Sequence, residues 1–133
     1  MNEYTIVFDG GSKGNPGLCY GSYRLQLKGR KPARPVRLEF GHGTNNEAEY
    51  KALIAGLEAL IAEIEEQGSD PADCLVDVRG DSQLVLNQLG GNWKVKNLRM
   101  RRLWDLAKVL LDRFSNRRLL HQSRSEMVEI LGH

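Results

Sequence analysis

Asp9, Glu49 and Asp81 are three carboxylates placed to converge. Asp9 closes the strand-like run Tyr4-Thr5-Ile6-Val7-Phe8. It precedes Gly10-Gly11-Ser12-Lys13-Gly14-Asn15-Pro16-Gly17, a segment expected to be too rich in glycine to continue as regular structure. Asp81 closes Cys74-Leu75-Val76-Asp77-Val78-Arg79-Gly80 in the same way. Glu49 lies four residues before Leu53 and eight before Leu57, so the helical period of ~3.6 residues puts it on their buried stripe. The same period turns Glu47 outward, where a first-turn carboxylate complements the positive end of the helix dipole. Carboxylates gathered against their mutual repulsion need compensating charge, and Mg²⁺ or Mn²⁺, which prefer oxygen ligands, supply it.

Taken singly, each residue has an ordinary reading: Asp9 as a turn residue, Asp81 as a helix N-cap, Glu49 as half of a buried salt bridge. The elements that position them change this. Residues 3–9, 18–28 and 36–42 read as three strands whose short connections favour an antiparallel meander. From Asn45 to Gln67, Leu53, Leu57, Leu60 and Ile64 recur at steps of four, three and four, an amphipathic helix stopped by Gly68 and Pro71. A fourth strand at 74–80 follows this crossover and is expected parallel to the first. Asp9 and Asp81 then share one carboxyl edge of the sheet, where open α/β sheets bind ligands.

A short helix from Asp81 to Leu89 follows, then an amphipathic helix from about Leu98 to Phe114 carried by Leu103, Leu106, Ala107, Leu110, Leu111 and Phe114. A fifth strand is expected at 118–122. This order predicts an α/β fold, a five-stranded mixed sheet with helices packed against it.

The 133 residues, 41% of them hydrophobic, suit one compact domain spanning 1–133. No apolar stretch approaches the ~20 residues of a membrane helix and no signal segment is evident, so a cytoplasmic chain without membrane contact is expected, as a monomer. Cys19 and Cys74 sit in apolar surroundings without metal-ligand spacing and read as buried free thiols. Net charge is only +2, yet ten basic residues fall between Lys94 and Arg124 against two acidic ones, Asp105 and Asp112. Beside a carboxylate metal site, that excess points to nucleic acid.

Four segments in order carry a family resemblance. They are Phe8-Asp9-Gly10-Gly11-Ser12-Lys13-Gly14-Asn15-Pro16-Gly17, Thr44-Asn45-Asn46-Glu47-Ala48-Glu49, Gly80-Asp81-Ser82-Gln83 and Trp93-Lys94-Val95-Lys96-Asn97. Together they closely resemble type 1 ribonuclease H over residues 3–124. The resemblance implies the ribonuclease H-like fold and hydrolysis of the RNA strand of an RNA/DNA hybrid, leaving 5′-phosphate and 3′-hydroxyl ends. It implies two Mg²⁺ or Mn²⁺ ions, with Asp9 bridging both and Glu49 and Asp81 completing the protein ligands. Glu49 also helps place the ribose 2′-hydroxyl. Asn15, Asn45 and Gln83 match minor-groove contacts, and Gly11 and Ser12 match a close approach of backbone to RNA. Thr44 and Asn97 match a pocket for a DNA-strand phosphate, and Trp93 matches an aromatic beside the DNA sugar. Asn45 also reads as a helix cap, and Trp93 as a core residue.

Two departures stand out. Leu89-Gly90-Gly91-Asn92-Trp93 leaves no room for the basic helix and loop that some members insert, so grip on the substrate falls to the basic segment itself. His121-Gln122-Ser123-Arg124 resembles the family's His-Val-Pro-Arg strand end, and a fourth catalytic aspartate is expected seven residues beyond the arginine, where this chain has Leu131. The tail lacks aspartate, and its Met127, Val128, Ile130 and Leu131 read as a short strand or docked extension rather than a helix. His133, with Glu129 as alternative, is the candidate fourth catalytic group, which would shift preference toward Mn²⁺; the equal alternative is a site that runs on the three carboxylates alone. His42 and His121 read as structural. A hybrid-binding module weakened in turnover by this tail, or another carboxylate nuclease on the same scaffold, are the competing readings. His133→Ala is expected to lower cleavage activity, and full activity of this variant with both Mg²⁺ and Mn²⁺ would remove His133 from the site.

Overall fold

A computed structural model describes residues 1–132. Five strands form one sheet: β1 (Asn2–Lys13), β2 (Gly17–Leu27), β3 (Val36–Gly43), β4 (Cys74–Gly80) and β5 (Asn116–His121), in the order β3-β2-β1-β4-β5. The first three pair antiparallel as the expected meander. β4 lies parallel to β1, with Tyr4 opposite Val76 and Ile6 opposite Val78, and β5 lies parallel to β4. The helices are α1 (Asn45–Glu66), α2 (Gln83–Leu89), α3 (Leu98–Leu111) and α4 (Arg124–Leu131). No helix among the described residues is long and apolar enough to cross a membrane.

Alternation along the strands assigns the two faces of the sheet. Tyr4, Ile6 and Phe8 of β1 and Val76 and Val78 of β4 pack in one core with Leu53, Leu57, Leu60 and Ile64 of α1. These four α1 side chains are fully buried, and each contributes roughly 1.5–3 kcal/mol of transfer free energy. α3 joins the same core through Ala107 and Leu111. Gln88 of α2 ties the helices together, accepting from Tyr50 Oη at 2.6 Å and from Trp104 Nε1 at 3.0 Å. Val7, pointing the other way, meets Met127 and Leu131 of α4 in a second, smaller cluster.

Several expected boundaries move. β1 does not stop at Asp9 but runs to Lys13, with Gly10 opposite Gly21 and Gly11 opposite Tyr20. Glycine here serves close approach rather than a turn: a Cβ on Gly10 would lie 2.4 Å from the Ala48 carbonyl carbon of α1. β5 begins two residues earlier than expected, at Asn116, and α3 ends at Leu111, with Phe114 still buried beyond it. Leu106, counted in the α3 stripe, is exposed. The tail forms a helix, α4, rather than a strand or extension. The signal for it was a capping box: Ser123 Oγ accepts from the Glu126 N–H, and the Glu126 carboxylate accepts from the Ser123 N–H. Met127 and Leu131, four apart, make its buried face. Cys19 and Cys74 are buried free thiols, as expected. His42 and His121 are both exposed.

Because backbone, not a flexible side chain, opposes a Cβ at Gly10, Gly10→Ala is expected to destabilise the protein by about 1–3 kcal/mol. Urea denaturation of the variant, with an unchanged m-value, checks this.

Candidate active site

Three elements deliver the carboxylates. Asp9 projects from the middle of β1, Glu49 from the second turn of α1, and Asp81 from the residue after β4. Each offers an oxygen, and these oxygens all lie within 4.8 Å of one another. The parallel β1–β4 pairing brings the two aspartates to one sheet edge. The Gly10 close approach brings α1 down onto that edge, where the Gly10 N–H donates to Glu49 Oε1 at 2.6 Å.

The site is dry on one side and charged throughout. Asp9 is 4% exposed and Glu49 6%, while Asp81 is partly open. Burial first, and the charge of Asp9 second, push the Glu49 carboxyl up to about 9, against the opposing Gly10 hydrogen bond. Burial and Asp9 also push Asp81 above the usual carboxylate range, and Arg124 opposes them. Arg124 Nη1 donates to Asp9 Oδ2 at 2.7 Å and reaches Asp81 Oδ2 at 3.5 Å. Asp9, not Glu49, thus carries the ion pair, its buried carboxylate meeting an exposed guanidinium.

A divalent cation fits the residues present. Glu49 Oε2 is buried with no hydrogen-bond donor among the described residues, and it belongs to a cluster of hard oxygen ligands of the kind Mg²⁺ and Mn²⁺ take. The expected ligands Asp9, Glu49 and Asp81 are therefore brought together. Among the described residues, Glu129 is not part of this cluster and is exposed, while Glu126 is engaged by Gln122 and Ser123. His133 lies outside the described residues.

The neighbouring polar groups form a connected rim. Asn45 Oδ1 accepts from the Ser12 N–H at 2.8 Å and from Ser12 Oγ at 3.0 Å. Asn15 Oδ1 accepts from the Asn45 N–H at 3.0 Å. Gln83, on the first turn of α2, accepts from Asn87 Nδ2 at 3.3 Å through its side-chain oxygen. Asn15, Asn45 and Gln83 are all exposed. The α1 N-cap is Thr44, not Asn45, and its hydroxyl accepts from the Glu47 N–H. Ser82, not Asp81, caps α2, which leaves the Asp81 carboxylate free of that duty. Asn97 caps α3. Trp93 is 48% exposed, not core, and lines a depression of about 260 Å³ with Lys94 and Arg101. Gly11 packs beneath Tyr20, where a Cβ would meet the phenol oxygen at 2.8 Å.

Arg124 is the site residue that the sequence left without a role. Its signal was the His-x-x-Arg spacing of residues 121–124, which placed it beyond a strand end without showing what it faces.

Known proteins resemble this chain in sequence and in structure. The family described as reverse transcriptase-like matches residues 39–129. The ribonuclease HI of Halobacterium salinarum is 37% identical over 118 residues, which are 89% of this chain and 55% of that protein. The bifunctional protein Rv2228c of Mycobacterium tuberculosis is 36% identical over 113 residues, 84% of this chain and 29% of that protein. The chain thus spans 29% to 55% of the length of these curated relatives. The crystal structure of the Halobacterium salinarum RNase H1 superposes with a TM-score of 0.81 at 35% identity, covering 94% of this chain and 89% of that one. LC11-RNase H1, solved in complex with an RNA/DNA hybrid, gives a TM-score of 0.81 at 30% identity over 95% of this chain and 89% of that one.

The raised Glu49 value carries a sign. A carboxyl whose folded-state value lies above its ordinary 4.5 gives its full stability below that pH and loses it as pH rises toward about 9. With divalent ions chelated, Glu49→Gln, a neutral isostere, is expected to melt higher than the parent at pH 9 and nearly the same at pH 4.5. Equal differences at the two pH values would show that the site does not suppress ionisation of Glu49.

Proposed function

This chain belongs to the type 1 ribonuclease H family, and we propose that residues 1–133 act as one metal-dependent endonuclease domain that hydrolyses the RNA strand of RNA/DNA hybrids. Its products are 5′-phosphate and 3′-hydroxyl ends. The observation that carries this reading is the buried, partly unsatisfied cluster of Asp9, Glu49 and Asp81 at the carboxyl edge of the sheet. Asp9, Glu49 and Asp81 would hold the Mg²⁺ or Mn²⁺ ions, which when bound would supply activation of the attacking water and stabilisation of the leaving oxygen.

The chain's own groups do the rest. The Gly10 N–H fixes one oxygen of Glu49 and leaves the other without a hydrogen-bond partner among the described residues, available to a cation; the family resemblance assigns Glu49 a further part in placing the ribose 2′-hydroxyl that distinguishes RNA. Burial of Asp9 and Glu49 keeps bulk water from screening the charges gathered there. Asn15, Asn45 and Gln83 each commit the amide oxygen to a protein partner. What each presents to solvent is its NH₂ donor. Every base pair offers acceptors in the minor groove, so three outward donors read a hybrid with little sequence preference. Ser12, half-buried, hydrogen-bonds Asn45 on the rim, while Gly11 is covered by Tyr20, so of this matched pair Ser12 is the one open to the RNA strand.

Thr44 and Asn97 cap α1 and α3, which puts helix N-termini, favourable to anions, at the two positions matched to a DNA-strand phosphate. Trp93 offers an exposed ring for the DNA sugar, flanked by Lys94 and Arg101. This basic segment replaces the insertion that some members carry.

A labelled RNA strand in a hybrid is expected to be cut with Mg²⁺ or Mn²⁺, duplex RNA to remain intact, and Asp9→Asn to lose at least a thousandfold in rate. Intact hybrid under both metals, with binding retained, would favour a binding module over an enzyme.

A further inference from the structure

The last helix brings Arg124 to the carboxylates and, among the described residues, no fourth carboxylate with it. Leu131 is 1% exposed and packs against Val7 and Met127, so the position of the expected fourth carboxylate is a hydrophobic anchor. The C-terminal end of α4 is held by two arginines: Arg24 donates to the Ile130 carbonyl at 3.3 Å and Arg37 to the Leu131 carbonyl at 3.2 Å. The capping box fixes the other end. Arg124, the first residue of this docked helix, lies 2.7 Å from Asp9 and 3.5 Å from Asp81.

We propose that Arg124 is a resident counter-cation of the carboxylate cluster, a positioning residue that makes divalent binding proceed in two unequal steps. The inference rests on the reading of Asp9, Glu49 and Asp81 as the metal site. Once a first divalent ion has displaced the Glu49 proton, the three carboxylates and Arg124 have a formal charge of minus two, which that one ion neutralises. A second ion meets no remaining net attraction and competes with the guanidinium for Asp9 and Asp81. It binds well only as Arg124 withdraws. The side chain has the freedom to do so: it is 57% exposed and borders an open depression of about 770 Å³, shared with Tyr20, Arg37, Leu38 and Glu39. Substrate phosphate, itself an anion, would favour both the withdrawal and the second ion.

The test is a Mn²⁺ titration of the full chain without substrate, with free Mn²⁺ read by electron paramagnetic resonance. The parent is expected to bind one ion at least tenfold more tightly than a second. Arg124→Ala and Arg124→Gln should tighten the second site at least tenfold and the first by less, while Arg124→Lys, which keeps the charge, should stay close to the parent. Arg124 lies on the first turn of α4, on the same face as Met127 and one turn from it, with its side chain 57% exposed, and circular dichroism of each variant checks that the fold is kept. Two equal sites in the parent, or a second site unchanged within twofold in both neutral variants, would overturn the proposal. If Mn²⁺ binding depends on Asp9 but not on Arg124, only this inference falls. If Asp9→Asn leaves Mn²⁺ binding intact, the metal-site reading falls with it.

Discussion

Three carboxylates within 4.8 Å of one another, two of them buried, repel strongly in a medium that screens poorly. Much of the surrounding structure answers that repulsion. One answer is covalent economy at Gly10, which has no side chain and so lets α1 approach until its own N–H serves Glu49. Another is protonation, since burial and Asp9 together hold the Glu49 carboxyl neutral in the ion-free protein. A third is Arg124, whose guanidinium stands against Asp9 and Asp81. A divalent cation would answer the repulsion more fully, since it would neutralise two charges and could take Glu49 Oε2 as a ligand.

The same economy shapes the rim. Thr44, Ser82, Asn97 and Ser123 cap α1, α2, α3 and α4. Capping satisfies orphan backbone donors, and it fixes where each helix begins to within one residue. A shift by one residue in α1 would rotate Glu49 by roughly 100° and remove it from the cluster. Groups that resemble substrate contacts therefore also hold the site's geometry. Loss of Thr44 or Asn97 would remove the cap of α1 or α3.

α4 shows how a departure from a family pattern is absorbed physically. A carboxylate at position 131 would face Val7 and Met127 in a dry cluster, at a cost that only a cation could offset. Leucine there exchanges that electrostatic demand for packing and leaves the helix docked on the outer face of the sheet. Eight residues are too few to show a helical period, so the apolar residues of the tail by themselves suggest a strand or extension. The Ser123-x-x-Glu126 capping box was the available signal, and it outweighs propensity in so short a helix.

Much of the rest was legible. Leucine spacing determined α1 and the inward direction of Glu49, because a helical period is a local property. Short connections and one helical crossover determined the antiparallel meander and the parallel β1–β4 pair, and so the shared edge of Asp9 and Asp81. The sequence did not reveal that β1 continues through its glycines, since what keeps Gly10 and Gly11 extended is pairing with β2 and the press of α1, both distant in the chain. Nor did it reveal that Arg124 faces Asp9, 115 positions away. The residues able to do chemistry and their approximate edge were set by local periodicity and connection length. Their charge balance was set by tertiary contact alone, because Coulomb interactions depend on separation in space, which no spacing along the chain encodes.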